Sequence, residues 1–293
     1  DKDVVCSNYT DPVHTWNLLK NFKGGTALFT QPTTPIKCGG APQKIMYLAE
    51  SHFQKAGVRD KTTVVFATPG TTIFGVPEVK KTLLEIVDKK DINLRFGYKL
   101  EKVDGPNQIA WYSFMDHEDE YNHKDIKTEK DGKLTGVHFD MMHTAPPSVA
   151  PKFIQDSPLA NEGGWLDIDQ YTLQHNRYPN IFGLGDVAGI PAAKTGAAIR
   201  KEVPVVIQNI RMLKSKNILG SKTYNGYSSC PIVTDYGKMV LAEFDYDNNF
   251  TPDPKLKMML IGDSSKEHWR LWMLKKYGLP YLYWNKMMKG QDV

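Results

Sequence analysis

Between residues 26 and 104 the chain alternates short β-rich runs with helical patterns, and this alternation limits its fold more than any other feature. "TALFT" (26–30) reads as a buried strand. "APQKIMYLAESHFQKAG" (41–57) carries Ile45, Met46, Leu48, Ala49, Phe53 and Ala56 at helical spacing, with Gly57 as the stop. "TTVVFAT" (62–68) is β-branched and strand-like. "PEVKKTLLEIVDKK" (77–90) opens on Pro77 in its first turn and is amphipathic. "INLRFGYKLEKVD" (92–104) follows as a strand. A β-α-β-α-β order predicts a parallel sheet covered by helices.

The texture then changes. "QIAWYSFM" and "LTGVHFDMMHTA" read as antiparallel strands around the polar segment "DHEDEYNHKDIKTEKDG", an exposed hairpin tip. Pro146 and Pro147 mark a crossover. "NIFGLGDVAG" (180–189) reads as an apolar strand running into a Gly-Asp turn. "KTGAAIRKEVPVVIQNIRMLKSK" reads as a helix starting near Thr195, kinked by Pro204. "SSCPIVTDYGKMVLAEFDY" predicts a hairpin turning near Asp235–Gly237.

Several function classes are disfavoured at once. Lys+Arg 37 against Asp+Glu 33 gives a formal charge of only +4, and no basic stripe interleaves with aromatics, so no nucleic-acid partner is expected. Three cysteines (Cys6, Cys38 and Cys230) do not make a secreted disulfide scaffold. No apolar run reaches the length that spans a bilayer. No metal-ligand cluster is expected. The chain opens without Met or a signal peptide, so position 1 reads as a cut or processed end.

Three stretches carry chemistry. In "IFGLGD", Gly183 and Gly185 allow close backbone approach to a ligand, and Asp186 can accept from a sugar-alcohol hydroxyl. The helix start near Thr195 and the cation of Lys194 favour an anionic group there. The same pattern also fits an ordinary turn capped by an aspartate. Cys38 lies where a strand becomes a helix, with Lys37 and Lys44 nearby in sequence, a setting that raises the thiolate fraction. Cys230 precedes Pro231. Either cysteine alone reads more readily as a small core residue, and 192 residues of separation do not say whether the two meet. The tail "HWRLWMLKKYGLPYLYWNKMMKG" mixes Trp, Tyr and Met with Lys and Arg. Gly278-Leu279-Pro280 is expected to break it into two short amphipathic pieces, which could lie in a headgroup layer or pack on their own domain. The loop "PTTPIKCGGAP" lacks the G-x-G-x-x-G phosphate fingerprint, which disfavours a tight nicotinamide site there.

Taken together, "IKCGGAPQKIMYLAE", "LQHNRYPNIFGLGD", "AAKTGAA", "YNGYSSCPIVT", "LAEFDYD" and "LPYLYWNKMMKG" resemble the sulfide:quinone oxidoreductases. These are membrane-associated flavoproteins of the two-dinucleotide-domain disulfide reductase superfamily, and the likeness is to the mitochondrial branch and its bacterial relatives. The resemblance implies an α/β fold: Rossmann-like (FAD/NAD(P)-binding) three-layer domains, an antiparallel β insertion and a C-terminal α+β membrane-docking region. Its divisions would be 1–24, the end of a first FAD-domain segment; 25–145, the second dinucleotide-type domain; 146–215, the returning FAD-domain segment; and 216–293, the redox-cysteine and membrane-docking domain.

The resemblance also implies roles. Cys38 and Cys230 match the redox pair that sulfide attacks. One cysteine then becomes a persulfide and the other thiolate attacks the flavin. Gly185, Asp186, Lys194, Thr195 and Gly196 match the non-covalently bound FAD's contacts, Asp186 at the ribityl chain. Trp272, Tyr281, Tyr283 and Trp284 match the quinone-admitting, membrane-docking region. Cys6 is a candidate flavin tether or auxiliary thiol, or a loop thiol without function. The implied partners are sulfide, ubiquinone, a small sulfur acceptor (thiol or sulfite) and a membrane surface. The implied location is peripheral on the mitochondrial inner membrane, or on a bacterial cytoplasmic membrane. Relatives open with a Gly-rich strand-turn-helix for the ADP half of FAD; the chain is expected to begin after it and so not to hold FAD by itself. The rival readings are a type II NADH:quinone oxidoreductase and a truncated, non-catalytic homologue.

Overall fold

The computed structural model describes residues 3–33, 37–114 and 126–291. The chain forms two compact units. The first comprises Asp1–Pro35, Gly40–Pro147 and Ile232–Lys238; the second comprises Ile36–Gly39, Ser148–Pro231 and Met239–Val293.

The first unit holds a parallel sheet of β1 (Val5–Cys6), β2 (Gly25–Thr30), β3 (Thr62–Thr68), β4 (Ile92–Phe96) and a later strand, β9 (Met141–Thr144), in the order β1-β9-β2-β3-β4. Helices α1 (Pro12–Asn21), α2 (Ala41–Lys55) and α3 (Pro77–Lys89) connect its strands. Ala27, Leu28, Phe29, Val64, Val65 and Phe66 are all fully buried. Such unbroken apolar runs suit strands covered on both faces. Helix α2 buries Met46, Tyr47, Ala49 and Phe53, and α3 buries Val79, Leu83, Ile86 and Val87. As predicted, α2 stops at Ala56 with Gly57 in the left-handed region (φ 68°).

A four-stranded antiparallel sheet, β5-β6-β8-β7, is built from β5 (Tyr98–Asp104), β6 (Ile109–Phe114), β7 (Thr128–Asp131) and β8 (Leu134–His138). Two expectations are corrected here. The run 92–104 is not one strand. Gly97, at φ 76°, turns the chain from the parallel sheet into the antiparallel one. Likewise "LTGVHFDMMHTA" is two strands. At Asp140 the chain crosses back: its N–H donates to the Thr26 carbonyl (2.8 Å) and its carboxylate accepts the Thr26 N–H (2.7 Å). β9 then joins β2 in parallel. The expected hairpin tip falls partly on residues 115–125, outside the described ones.

In the second unit α4 (Lys152–Gln155) precedes a segment tied by single bridges such as Leu166 to Ala188 and Gln174 to Phe182. The stretch 180–184 is therefore not a strand, and it runs into a 3-10 turn at Gly185–Val187. Its apolar residues pack into an irregular core around Trp165, Leu166, Ile168, Leu173 and Tyr224. Helix α5 (Gly196–Lys216) runs unbroken with Pro204 inside it. Strands β10 (Ser228–Asp235) and β11 (Lys238–Phe244) form the expected hairpin, turning at Tyr236–Gly237; its middle, Ile232–Lys238, groups with the first unit. The tail is not broken at Gly278–Pro280. A π-helical turn, Leu274–Gly278, joins α6 (Trp269–Met273) to α7 (Leu279–Asn285), and Pro280 falls in the first turn of α7.

Candidate active site

Cys38 and Cys230 meet. Their Sγ atoms lie 2.9 Å apart across 192 residues of sequence, both within the second unit. A disulfide requires about 2.05 Å, so closing the bond takes a shift of under about 1 Å. Cys230 is buried in β10 between Ser229 and Pro231, while Cys38 is half-buried. A reagent therefore reaches the pair from the Cys38 side.

The segment carrying Cys38 lies against the Gly-Asp turn. Lys37 Nζ donates to Asp186 Oδ2 at 2.5 Å, and the Lys194 N–H donates to the Lys37 carbonyl at 2.7 Å. The turn itself is braced from α5, where the buried Glu202 carboxylate accepts the Gly185 N–H at 2.7 Å. Gly185 has φ +65°, and an added Cβ would meet Ile199 of the same helix at 3.0 Å. Burial raises the Glu202 carboxyl above its usual range, opposed by the Gly185 N–H and by Lys194. Burial likewise lowers the Lys194 ammonium, opposed by Glu202 and Asp186. Lys194 Nζ also sits 4.8 Å over the Trp165 ring. Lys37, Asp186, Lys194 and Glu202 thus form a chain of alternating charge beside the sulfurs.

Thr195 is the N-cap of α5; its hydroxyl accepts the Ala198 N–H at 3.3 Å. At Gly196 a Cβ would meet nothing within 4 Å, so the helix start faces open space. The donor set suits a flavin. Asp186, with a carboxylate 57% exposed, can accept from polyol hydroxyls. The N–H groups opening α5, together with Lys194, can face an anionic ring edge.

The root of the Cys230 strand is held by groups that sequence reasoning missed. Tyr227 donates to Glu243 Oε1 at 2.5 Å and accepts from Arg200 Nη2 at 3.3 Å. Burial and then Glu243 raise the Tyr227 phenol. Gly226, at φ +82°, brings the backbone against the Tyr246 ring, where a Cβ would lie 2.3 Å from a ring carbon. Only the aromatic-glycine spacing in "YNGYSS" hinted at this packing.

Cys6 belongs to the first unit. It lies buried in β1, and burial pushes its thiol up to about 11. Burial of this kind favours the neutral thiol over the thiolate. Of the tail residues, Tyr281, Tyr283 and Trp284 are exposed at 59%, 42% and 65%, while Trp272 is half-buried with Lys276 Nζ 4.8 Å over its ring. Among the described residues no helix is long and apolar enough to cross a membrane.

No protein-family model matches the chain. Curated relatives do. The mitochondrial sulfide:quinone oxidoreductase of Mus musculus is 40% identical over 288 residues, which is 98% of this chain and 60% of that protein. Its counterpart in Dictyostelium discoideum is 37% identical over 294 residues, 99% of this chain and again 60% of the relative. The chain is thus homologous over nearly its whole length to proteins of that name, and spans 60% of theirs. Among solved structures, the sulfide:quinone oxidoreductase from the hyperthermophilic bacterium Aquifex aeolicus has a similar fold. Its TM-score is 0.67 at 15% identity, over 97% of this chain and 64% of that one.

Proposed function

We propose that this chain is the thiol-bearing part of a flavin-dependent sulfide:quinone oxidoreductase. The observation that carries the reading is the 2.9 Å approach of Cys38 and Cys230 beside the Lys37–Asp186 pair. The relatives' names supply the substrates.

The chemistry starts from the oxidised pair. Hydrosulfide attacks one sulfur of the Cys38–Cys230 bond; the S–S bond breaks, the attacked cysteine holds the new sulfur as a persulfide, and the other leaves as thiolate. A thiolate or sulfite then takes the outer sulfur, and the attacked cysteine is released as thiolate in its turn. Loss of two electrons from the two thiolates re-forms the S–S bond. A bound FAD, held without a covalent link, would accept those two electrons and hand them to ubiquinone. The chain's own residues hold the sulfurs in contact, offer Asp186 to the flavin polyol, and set Lys194 with the Thr195–Gly196 helix start where negative charge develops.

In this reading residues 1–24 end a first flavin-domain segment, 25–145 form the second dinucleotide-type domain, 146–215 return to the flavin domain and 216–293 form the C-terminal part. The exposed Trp and Tyr of the tail, interleaved with Lys and Arg, suit a headgroup layer, so the protein docks peripherally on the mitochondrial inner membrane, where a lipid-soluble quinone enters. A type II NADH:quinone oxidoreductase has no use for the cysteine pair and is not favoured.

The test is turnover of the full-length, flavin-loaded protein. Sulfide should bleach the flavin and drive quinone reduction, and Cys38→Ser or Cys230→Ser should each abolish the second. Normal quinone reduction by both single variants would sink the mechanism.

A further inference from the structure

We infer that Lys37 is a positioning residue: its ammonium on Asp186 and its carbonyl on the Lys194 N–H clasp the Cys38 segment in reach of Cys230. The inference rests on the Cys38–Cys230 pair being the working pair. It goes further by naming what holds the half-buried partner in place.

Cys230 needs no such device, because β10 buries it and the hairpin partner supports it. Cys38 is different. It lies in no helix or strand. Two bonds from its neighbour Lys37 reach across to residues 186 and 194, one at 2.5 Å and one at 2.7 Å. The side-chain bond is charge-assisted, and its acceptor sits on a turn that Glu202 braces from α5. Position is therefore passed from a 21-residue helix through the turn that Glu202 holds to Lys37, one residue from the sulfur. The Lys37 side chain is 34% exposed and Asp186 57%, so the ionic bond is open to screening. That makes the clasp testable by salt as well as by substitution.

Holding two thiols together raises their effective concentration and favours the disulfide over the dithiol. The experiment sets the flavin-loaded protein at equilibrium, without oxygen, in buffers of reduced and oxidised glutathione. Each disulfide formed in the protein takes two electrons' worth of oxidation from one glutathione disulfide and releases two glutathione thiols. Alkylation and peptide mass give the fraction of Cys38–Cys230 disulfide. Lys37→Met should shift the equilibrium constant about threefold or more toward the dithiol. Lys37→Arg, which keeps the charge and a donor, should stay near the native value. Asp186→Asn should move the balance the same way as Lys37→Met, and the two shifts should not add in the double variant. About 1 M salt, where the screening length is about 3 Å, should bring the native protein toward Lys37→Met.

An unchanged constant in Lys37→Met would overturn the inference. So would a shift toward the disulfide, which would mark Lys37 as a stabiliser of thiolate charge. Additive shifts in the double variant would also overturn it. The functional reading fails separately: loss of sulfide turnover in the native protein, with the glutathione results intact, leaves the clasp standing.

Discussion

His143 shows how one buried side chain writes a pH limit into the sheet. It sits on β9, 1% exposed, with Nε2 2.6 Å from Asn8 Oδ1 and its ring stacked on Phe29. Burial lowers its pKa from 6.5 to about 4. The unfolded chain therefore holds more proton than the folded chain between those values, and stability must fall as pH drops through that window. The loss should approach about 3 kcal/mol by pH 4. Denaturant unfolding of the native protein and of His143→Gln at pH 7 and at pH 4.5 checks this. The variant should lose less stability on acidification, and equal losses would refute the assignment. No motif marks His143, because its burial comes from strand pairing with segments far away in sequence. Cys38 and Cys230 were legible as candidates, since a thiol at a strand-to-helix junction and a thiol before proline each stand out. Glu202 was not legible: its role is to accept one backbone N–H from a turn 17 residues earlier, and a glutamate on a helix carries no sign of that.

At the scale of elements, the sequence was most readable where burial is continuous or strictly periodic. β3 runs over the residues that its β-branched pattern predicts, and α2 and α3 begin within a residue of theirs. Two of the misreadings share a cause. "INLRFGYKLEKVD" and "LTGVHFDMMHTA" each read as one continuous strand, but the first half of one and the last part of the other belong to the parallel sheet. Pattern alone does not say which neighbour a strand will find. "NIFGLGD" failed differently, because its apolar residues fill a core of bridges and turns without a ladder. The C-terminal helices carry the element-scale prediction. Trp269, Tyr277, Tyr281 and Trp284 are each more than half exposed on a short helical segment rich in cations. A solvated helix gains nothing from that composition, whereas a headgroup layer accepts it. Tyr281→Ala with Trp284→Ala should weaken binding to phosphatidylcholine vesicles containing a minority of cardiolipin by about tenfold, or about 1.4 kcal/mol. Helical circular dichroism should stay unchanged. Equal sedimentation of both proteins with the vesicles would remove the tail from the membrane.

At the scale of the whole molecule, the sulfur pair closes the longest loop that matters. The α/β class and the parallel sheet could be read from residues 26–104, but the meeting of Cys38 and Cys230 could not. It depends on residues 37–39 grouping with the second unit although the sequence on either side of them groups with the first. A crosslink between positions 192 apart removes conformations from the unfolded chain that a local crosslink would leave. The loop-entropy relation puts the gain at up to about 5 kcal/mol. The same free energy acts in reverse: folding must favour the oxidised pair over the dithiol by the amount that oxidation favours the fold. The oxidised protein should therefore unfold at a clearly higher guanidinium concentration than the same protein in excess reductant. A Cys38→Ser, Cys230→Ser double variant should show one midpoint under both conditions, near that of the reduced native protein, while Cys6, buried and protonated, should contribute to neither difference. If reductant leaves the native midpoint where it was while mass confirms that the pair had been oxidised, the crosslink is straining the folded chain as much as it confines the unfolded one. The close approach of the two sulfurs would then favour rapid thiol exchange over stability.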